Sequence, residues 1–473
     1  MTDGGRIRTT RGGRFSGVWL LVAALCVALV ACSTDKAPVE PADSPGTQEK
    51  FSRVQPWALP VAGEAAHPDL VATPQGDLLL SWVQPAPDDH RELRMARLAS
   101  PAPGAPGAWA DPLSAGTGGN WFLNWADTPH VYALPDGSLW AHWLRQTGEG
   151  HTDYGIDLVR SGDGGRTWSP PTLVSLPDLP GDNGFVTFWP QASDELGMAW
   201  LDSRQKATAS SPAGTETAPT ANDQHPGSAP ADAGHGHGHG DGAMMLRAAI
   251  YGASSSNTLA SGAAASKMSE WPLDISTCDC CTTASAITSR GPVVVYRGRS
   301  AGEIRDVRLV RLEGGAWTAP RDVHADGWWM TGCPVNGPVV AAQGDTVWVA
   351  WYTEADGQPE LRLARSDDAG DSFGVPLAVA NGPQVLGRLG LGLAQGHVLL
   401  SWLQEGDGGD GQQLMLSRID RGLGAAHSIP VAALAARGRA SGIPRLAVLD
   451  EAAWLVWGEV VDRTPTLKGA VVQ

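Results

Sequence analysis

An aromatic residue closes an apolar, strand-like run seven times along this chain, and that repeat dictates the architecture. The runs end at Trp82 in LLLSW, Trp143 in LWAHW, Trp200 in GMAW, Tyr296 in VVVY, Trp351 in VWVAW, Trp402 in VLLSW and Trp457 in WLVW. Their spacings are 61, 57, 96, 55, 51 and 55 residues. A second series, an aromatic or once a His followed by Pro, runs beside the first: Trp57-Pro60, Trp109-Pro112, Trp168-Pro171, Trp271-Pro272, Trp317-Pro320, Phe373-Pro376 and His427-Pro430. The 59 Gly and 35 Pro fit many short strands joined by turns, and no long segment carries the i, i+3, i+4 apolar spacing of a helix. Paired strand markers at this period describe four-stranded blades around an axis, an all-β propeller.

The two series are out of phase. The marker at Trp57 precedes the first complete unit, and the last unit ends at Gln473 without one. Closure is predicted to come from Phe51 to Gly63 supplying the outer strand of the last blade, which leaves no open edge. Seven blades follow, with six as the alternative if the unit holding the 96-residue gap is irregular. That gap contains an insertion placed at 206–243.

Two segments name the turns. Residues 161–168 read Ser-Gly-Asp-Gly-Gly-Arg-Thr-Trp, and residues 366–373 read Ser-Asp-Asp-Ala-Gly-Asp-Ser-Phe. Both fit Ser-x-Asp-x-Gly-x-Thr-Trp, the second with Ser for Thr and Phe for Trp. In such a turn the Asp accepts backbone hydrogen bonds, the Gly takes positive φ and the aromatic plugs the blade. These are Asp boxes (BNR repeats), and the chain resembles the sialidase superfamily and other Asp-box propellers. The resemblance covers the repeat architecture. The activity it implies needs three Arg on a carboxylate, a Tyr activated by Glu as nucleophile and an Asp as acid/base. Here the first blade offers His67-Pro-Asp-Leu where those enzymes carry an Arg-Ile-Pro type motif, and Tyr352 with Glu354 is the nearest match to a nucleophile pair.

The N-terminus is a processing segment. Arg6, Arg8, Arg11 and Arg14 precede the apolar run Val18 to Val30, and residues 29–32 read Leu-Val-Ala-Cys. The run is short for a bilayer span and ends in small residues. A bacterial lipoprotein signal over residues 1–31 is expected, with Cys32 as the lipid anchor, residues 32–50 as a flexible tether and 51–473 as the propeller. The expected location is the cell envelope, at the outer membrane or the periplasmic face. A net charge of -16 excludes nucleic acid as a partner, since phosphate binding needs a basic face.

Four departures from the blade pattern map to one face. Residues 277–282, Thr-Cys-Asp-Cys-Cys-Thr, form the loop into blade four, and residues 326–336, with Trp328, Trp329, Cys333 and Asn336, form the loop into blade five. Residues 297–306 lie between the second and third strands of blade four and carry Arg297, Arg299, Glu303, Arg305 and Asp306. The insertion, led in by Asp202 and Arg204, holds the corresponding place in blade three and contains His225, His235, His237 and His239. Both Asp boxes lie at the opposite end. Loops on a rigid scaffold are where binding groups concentrate.

Several chemistries are open to these residues. Cys278, Cys280, Cys281 and Cys333 suit two disulfides in an oxidising compartment, a copper or zinc site, or a redox-active pair. His235, His237 and His239 could add imidazoles to a metal or belong to a low-complexity loop. Arg204, Arg297, Arg299 and Arg305 could clamp an anion or pair with neighbouring acids, while Trp328, Trp329 and Asn336 could line a ligand. The expected function is a lipid-anchored platform for a glycan, a metal ion or an envelope protein. The alternatives are a glycoside hydrolase of exo-α-sialidase type and an assembly scaffold with stapled loops.

Overall fold

Seven antiparallel sheets follow one another along the chain, and in six of them the strand order is the chain order. The computed structural model describes residues 51, 53–99, 107–150, 152–176, 181–209, 243–253, 264–406, 408 and 411–473. The expected signal, the tether, Cys32 and the insertion His225, His235, His237 and His239 lie outside the described residues. Among the described residues, no helix is long and apolar enough to cross a membrane.

The inner strands are Ala66–Ala72, His130–Ala133, Asn183–Pro190, Ala284–Thr288, Val339–Gln343, Val385–Ala394 and Arg445–Leu449. The first aromatic series, Trp82 to Trp457, falls entirely in the second strands, Leu78–Pro85, Leu139–Gln146, Leu196–Asp202, Gly291–Arg297, Thr346–Thr353, His397–Glu405 and Ala452–Val461. The molecule is therefore a seven-bladed propeller, and the six-blade alternative falls.

These second strands are buried at nearly every position, as in Leu196–Asp202, where all seven residues are buried. A strand sandwiched between two neighbouring blades has no solvent face, so it reads as an apolar run and not as an alternation. Trp82, Trp200, Trp351 and Trp402 are among the largest fully buried side chains. Each contributes roughly 2–3 kcal/mol of apolar burial to its inter-blade seam.

The ring closes as the phase of the markers requires. The last sheet runs in the order Val54–Pro56, Thr464–Val472, Ala452–Val461, Arg445–Leu449, so an N-terminal strand completes the C-terminal blade. Val54 pairs with Val472 and Pro56 with Ala470. Pro56 is tolerated because this is an edge strand.

Both Asp-box segments form the expected turn. Asp163 Oδ1 accepts from the backbone N–H of Arg166 at 3.1 Å and of Thr167 at 2.9 Å, and Asp163 Oδ2 accepts from the Thr167 hydroxyl at 2.7 Å. Gly165 sits at φ 90°, where a Cβ would meet Met95 Cε at 1.8 Å. Asp368 repeats the pattern with Ser372. Both turns join a third strand to a fourth, at the end of the blades opposite the loops that lead from one blade into the next.

Candidate functional site

The loop from blade three into blade four is built by a local zipper. Thr277 bridges Gly298, the Cys278 N–H donates to Arg297 O at 2.9 Å, and the Arg299 N–H donates to Ser276 O at 3.2 Å. This holds residues 276–278 against the turn that follows the second strand of blade four. The chain then folds inward. The Cys278, Cys280 and Cys281 thiols lie within 4.8 Å of one another, with Cys278 Sγ 3.8 Å from Cys280 Sγ and 3.5 Å from Cys281 Sγ. All three side chains are buried, whereas Cys333 is exposed. The four are free thiols, so the expected disulfides are not formed in this structure.

One face of this loop rests on Gly337, where a Cβ would stand 2.1 Å from Thr282 O and 2.7 Å from Thr282 N. Only glycine lets the blade-five chain approach so closely.

Electrostatics single out Cys278. Its hydrogen bonds with the Cys280 and Cys281 thiols and the charge of Arg305 together hold it well below the ordinary thiol range. Burial pushes the Cys280 and Cys281 thiols up.

The predicted arginines spend most of their hydrogen-bonding capacity within the protein. Arg297 is buried and donates to the carbonyls of Arg305 at 2.6 Å, Asn336 at 2.8 Å and Tyr352 at 2.8 Å, with its guanidinium 4.8 Å over the Trp328 ring. Arg305, also buried, donates to Met330 O at 3.1 Å and pairs with Glu303 at 2.7 Å, while its Nη1 is buried without a partner. Arg299 pairs with Glu303 at 2.8 Å, and Asp279 takes Lys206 at 2.6 Å. Arg204 forks onto Asp202 and reaches Glu270 at 3.0 Å. Asn336 binds the blade-six backbone, accepting from the Arg388 N–H at 2.9 Å and donating to Leu386 O at 3.2 Å. Trp328 is core, and Trp329 alone of the aromatic pair is exposed.

A second group of polar residues, absent from the expected site, lies where the inner strands begin. His67, Phe185 and Arg388 take φ of 53°, 54° and 60°, each beside a break in strand register. Such bulges re-aim side chains. Arg445 donates to Pro68 O at 3.2 Å and to the Thr128 hydroxyl at 2.5 Å, and lies 3.4 Å from Asp69. Asp127 accepts from the Phe185 N–H at 2.7 Å, yet burial pushes its carboxyl up to about 7. Burial lowers His67 to about 4 and also lowers the buried pair His130 and His142, which are hydrogen-bonded at 2.9 Å. A cavity of about 170 Å³ opens beside them, lined in part by His67, Trp125, Thr128, Arg439 and Glu459. The apolar series that located the blades lies in their second strands, so it carries no information about these inner-strand starts.

Tyr352 donates to Glu354, the pairing that the resemblance singled out. Burial raises the Tyr352 hydroxyl, so the phenol is fully protonated at neutral pH.

No family model matches the chain, and no curated protein matches it. Solved structures similar to it do exist. They include the NanB sialidase from Streptococcus pneumoniae, at 9% identity, covering 84% of this chain and 83% of that one with a TM-score of 0.42. The Trypanosoma rangeli sialidase in complex with the inhibitor DANA is 12% identical, covering 78% and 57% with a TM-score of 0.42. The GH93 α-L-arabinofuranosidase of Fusarium graminearum is 12% identical, covering 87% and 93%, again with a TM-score of 0.42.

Proposed function

We propose that this chain is a lipid-anchored, extracytoplasmic propeller that binds a thiophilic metal ion through the loop into blade four. One observation carries the reading: three buried thiols whose sulfurs lie within 4.8 Å of one another, on a loop pinned to the neighbouring blade. Soft thiolates select copper(I) or zinc over hard cations. The buried guanidiniums beside the sulfurs favour their ionised, metal-binding form. The fold supplies a rigid platform, and the cysteines supply the chemistry.

The test uses the full chain, expressed with its own leader and purified from the membrane fraction. Near-stoichiometric copper or zinc by mass spectrometry is expected, falling at least tenfold in Cys278→Ser with the thermal midpoint little changed. Metal-free protein in which all four thiols have been lost to disulfides would defeat the metal reading. In the same preparation Cys32→Ser is expected to move the chain out of the membrane fraction, and unchanged membrane retention would defeat the anchor.

Glycoside hydrolysis is the second reading, favoured by the Tyr352–Glu354 hydrogen bond and by Asp127, whose carboxyl near 7 suits a general acid at neutral pH. It expects turnover of an aryl α-sialoside that falls at least 100-fold in both Asp127→Asn and Tyr352→Phe. Absence of turnover, or turnover that survives either change, removes it.

A further inference from the structure

We propose that Cys278, Cys280 and Cys281 form a three-coordinate site for monovalent copper, and that exposed Cys333 is the surface thiol through which the ion enters and leaves. The inference rests on the metal reading above and narrows it to one ion, one coordination number and one route.

Coordination number comes from the donor set. Among the described residues, these three thiols are the one group of His, Cys, Asp or Glu ligand atoms close enough to share an ion, and no imidazole or carboxylate joins them. The nearest carboxylate in sequence, Asp279, points to Lys206 and Arg299 instead. A structural zinc requires four ligands, and a catalytic zinc keeps an open position for water. Here the three cysteines are no more than 8% exposed, which disfavours a water-filled fourth position. Copper(I), a d¹⁰ ion with no demand for a fourth ligand, is satisfied by a trigonal set of soft thiolates. With two sulfur–sulfur edges of 3.8 and 3.5 Å and the third within 4.8 Å, a point equidistant from the three sulfurs lies roughly 2.1–2.4 Å from each, a bonding distance for a first-row ion.

Charge supports the assignment. Three thiolates and one monovalent cation carry a net charge of -2, which a buried site must offset. Arg297 directs its hydrogen bonds to carbonyl oxygens, so its charge is free to act on the cluster. Arg305 is 3% exposed, and its Nη1 is buried without a partner.

The route follows from exposure. Cys280 is the most exposed of the three at 8%, and exposed Cys333 lies on the blade-five loop that packs against theirs where Gly337 meets Thr282. Copper(I) arriving on Cys333 can pass to Cys280 by thiolate exchange and then to the full trio. Each S–H replaced by S–Cu releases its proton to solvent, and the copper oxidation state does not change.

The experiment is an anaerobic titration of the reduced full chain with copper(I), buffered by a bathocuproine chelator, with zinc chloride in parallel. One copper(I) per chain is expected, with three sulfur neighbours by X-ray absorption and zinc bound at least 100-fold more weakly. Cys333→Ser is expected to keep the stoichiometry and the affinity within threefold, while transfer of copper to added chelator slows at least tenfold. Cys281→Ser should abolish tight binding, and Arg305→Met should weaken it about tenfold, with thermal melts confirming that both fold. Four sulfur neighbours, or loss of the ion in Cys333→Ser, overturns the three-coordinate site while leaving a metal site standing. Transfer kinetics unaltered in Cys333→Ser overturns the route. No binding of either ion overturns this inference and the metal reading together.

Discussion

Replacing Arg297 by Met is expected to destabilise the protein by about 3–5 kcal/mol, although Met matches the length of the aliphatic stem. The guanidinium holds the carbonyls of Arg305, Asn336 and Tyr352, three separate stretches of chain that blades four and five bring together. With Met these acceptors lose their buried donor, at about 1–3 kcal/mol each, partly offset because no charge then has to be buried. The stacking on Trp328 is also lost. Arg299, two residues later, is partly exposed and pairs with Glu303. Its replacement by Met is expected to cost less than about 1 kcal/mol. Urea unfolding of both variants checks the contrast. Equal destabilisation, or a loss below about 1 kcal/mol for Arg297→Met, would remove Arg297 as the inter-blade clamp.

Deleting residues 51–63 is expected to cost about 5 kcal/mol and to make the chain self-associate. The segment supplies the outer strand of blade seven, and Trp57 stacks on Trp109 at 5.0 Å and meets Trp454 edge-on at 4.8 Å. Leu59 and Val61 pack on the same cluster. Without the segment, two Trp faces lose their cover and Thr464–Val472 becomes an unpaired edge. Size-exclusion chromatography and a thermal melt decide the matter. A monomer that melts within about 2 °C of the intact chain would show that the ring does not depend on this closure.

The fold was legible because blades repeat. Trp82, Trp143, Trp200, Trp351, Trp402 and Trp457 occupy one structural position, the second strand, where a strand packed on both faces needs bulk in every unit. The phase shift between the two marker series likewise required the chain ends to share a blade, and Val54 pairs with Val472 as that argument demands. The site was legible only in part. Cys278, Cys280 and Cys281 are close in sequence, so their proximity in space was nearly given. The role of each arginine was not, because whether Arg297 meets a ligand or three carbonyls depends on chain segments up to 55 residues away. The inner-strand starts left no trace in the pattern used. His67, Asp127 and Arg445 come from three blades and converge only around the axis.

The sequence by itself determined the propeller architecture, the N-terminal closure of its last blade, the turns built on Asp163 and Asp368, and the end of the propeller that carries the unusual loops, while the structure settled seven blades over six. These follow from local period and turn chemistry, which are written within each unit of roughly 55 residues. Only the tertiary structure decided that three thiols are buried while Cys333 stays at the surface, that Trp328 is core while Trp329 is exposed, and that Arg297 clamps two blades. Burial and partnership are properties of how one blade packs on the next, and residues far apart in the chain set them jointly.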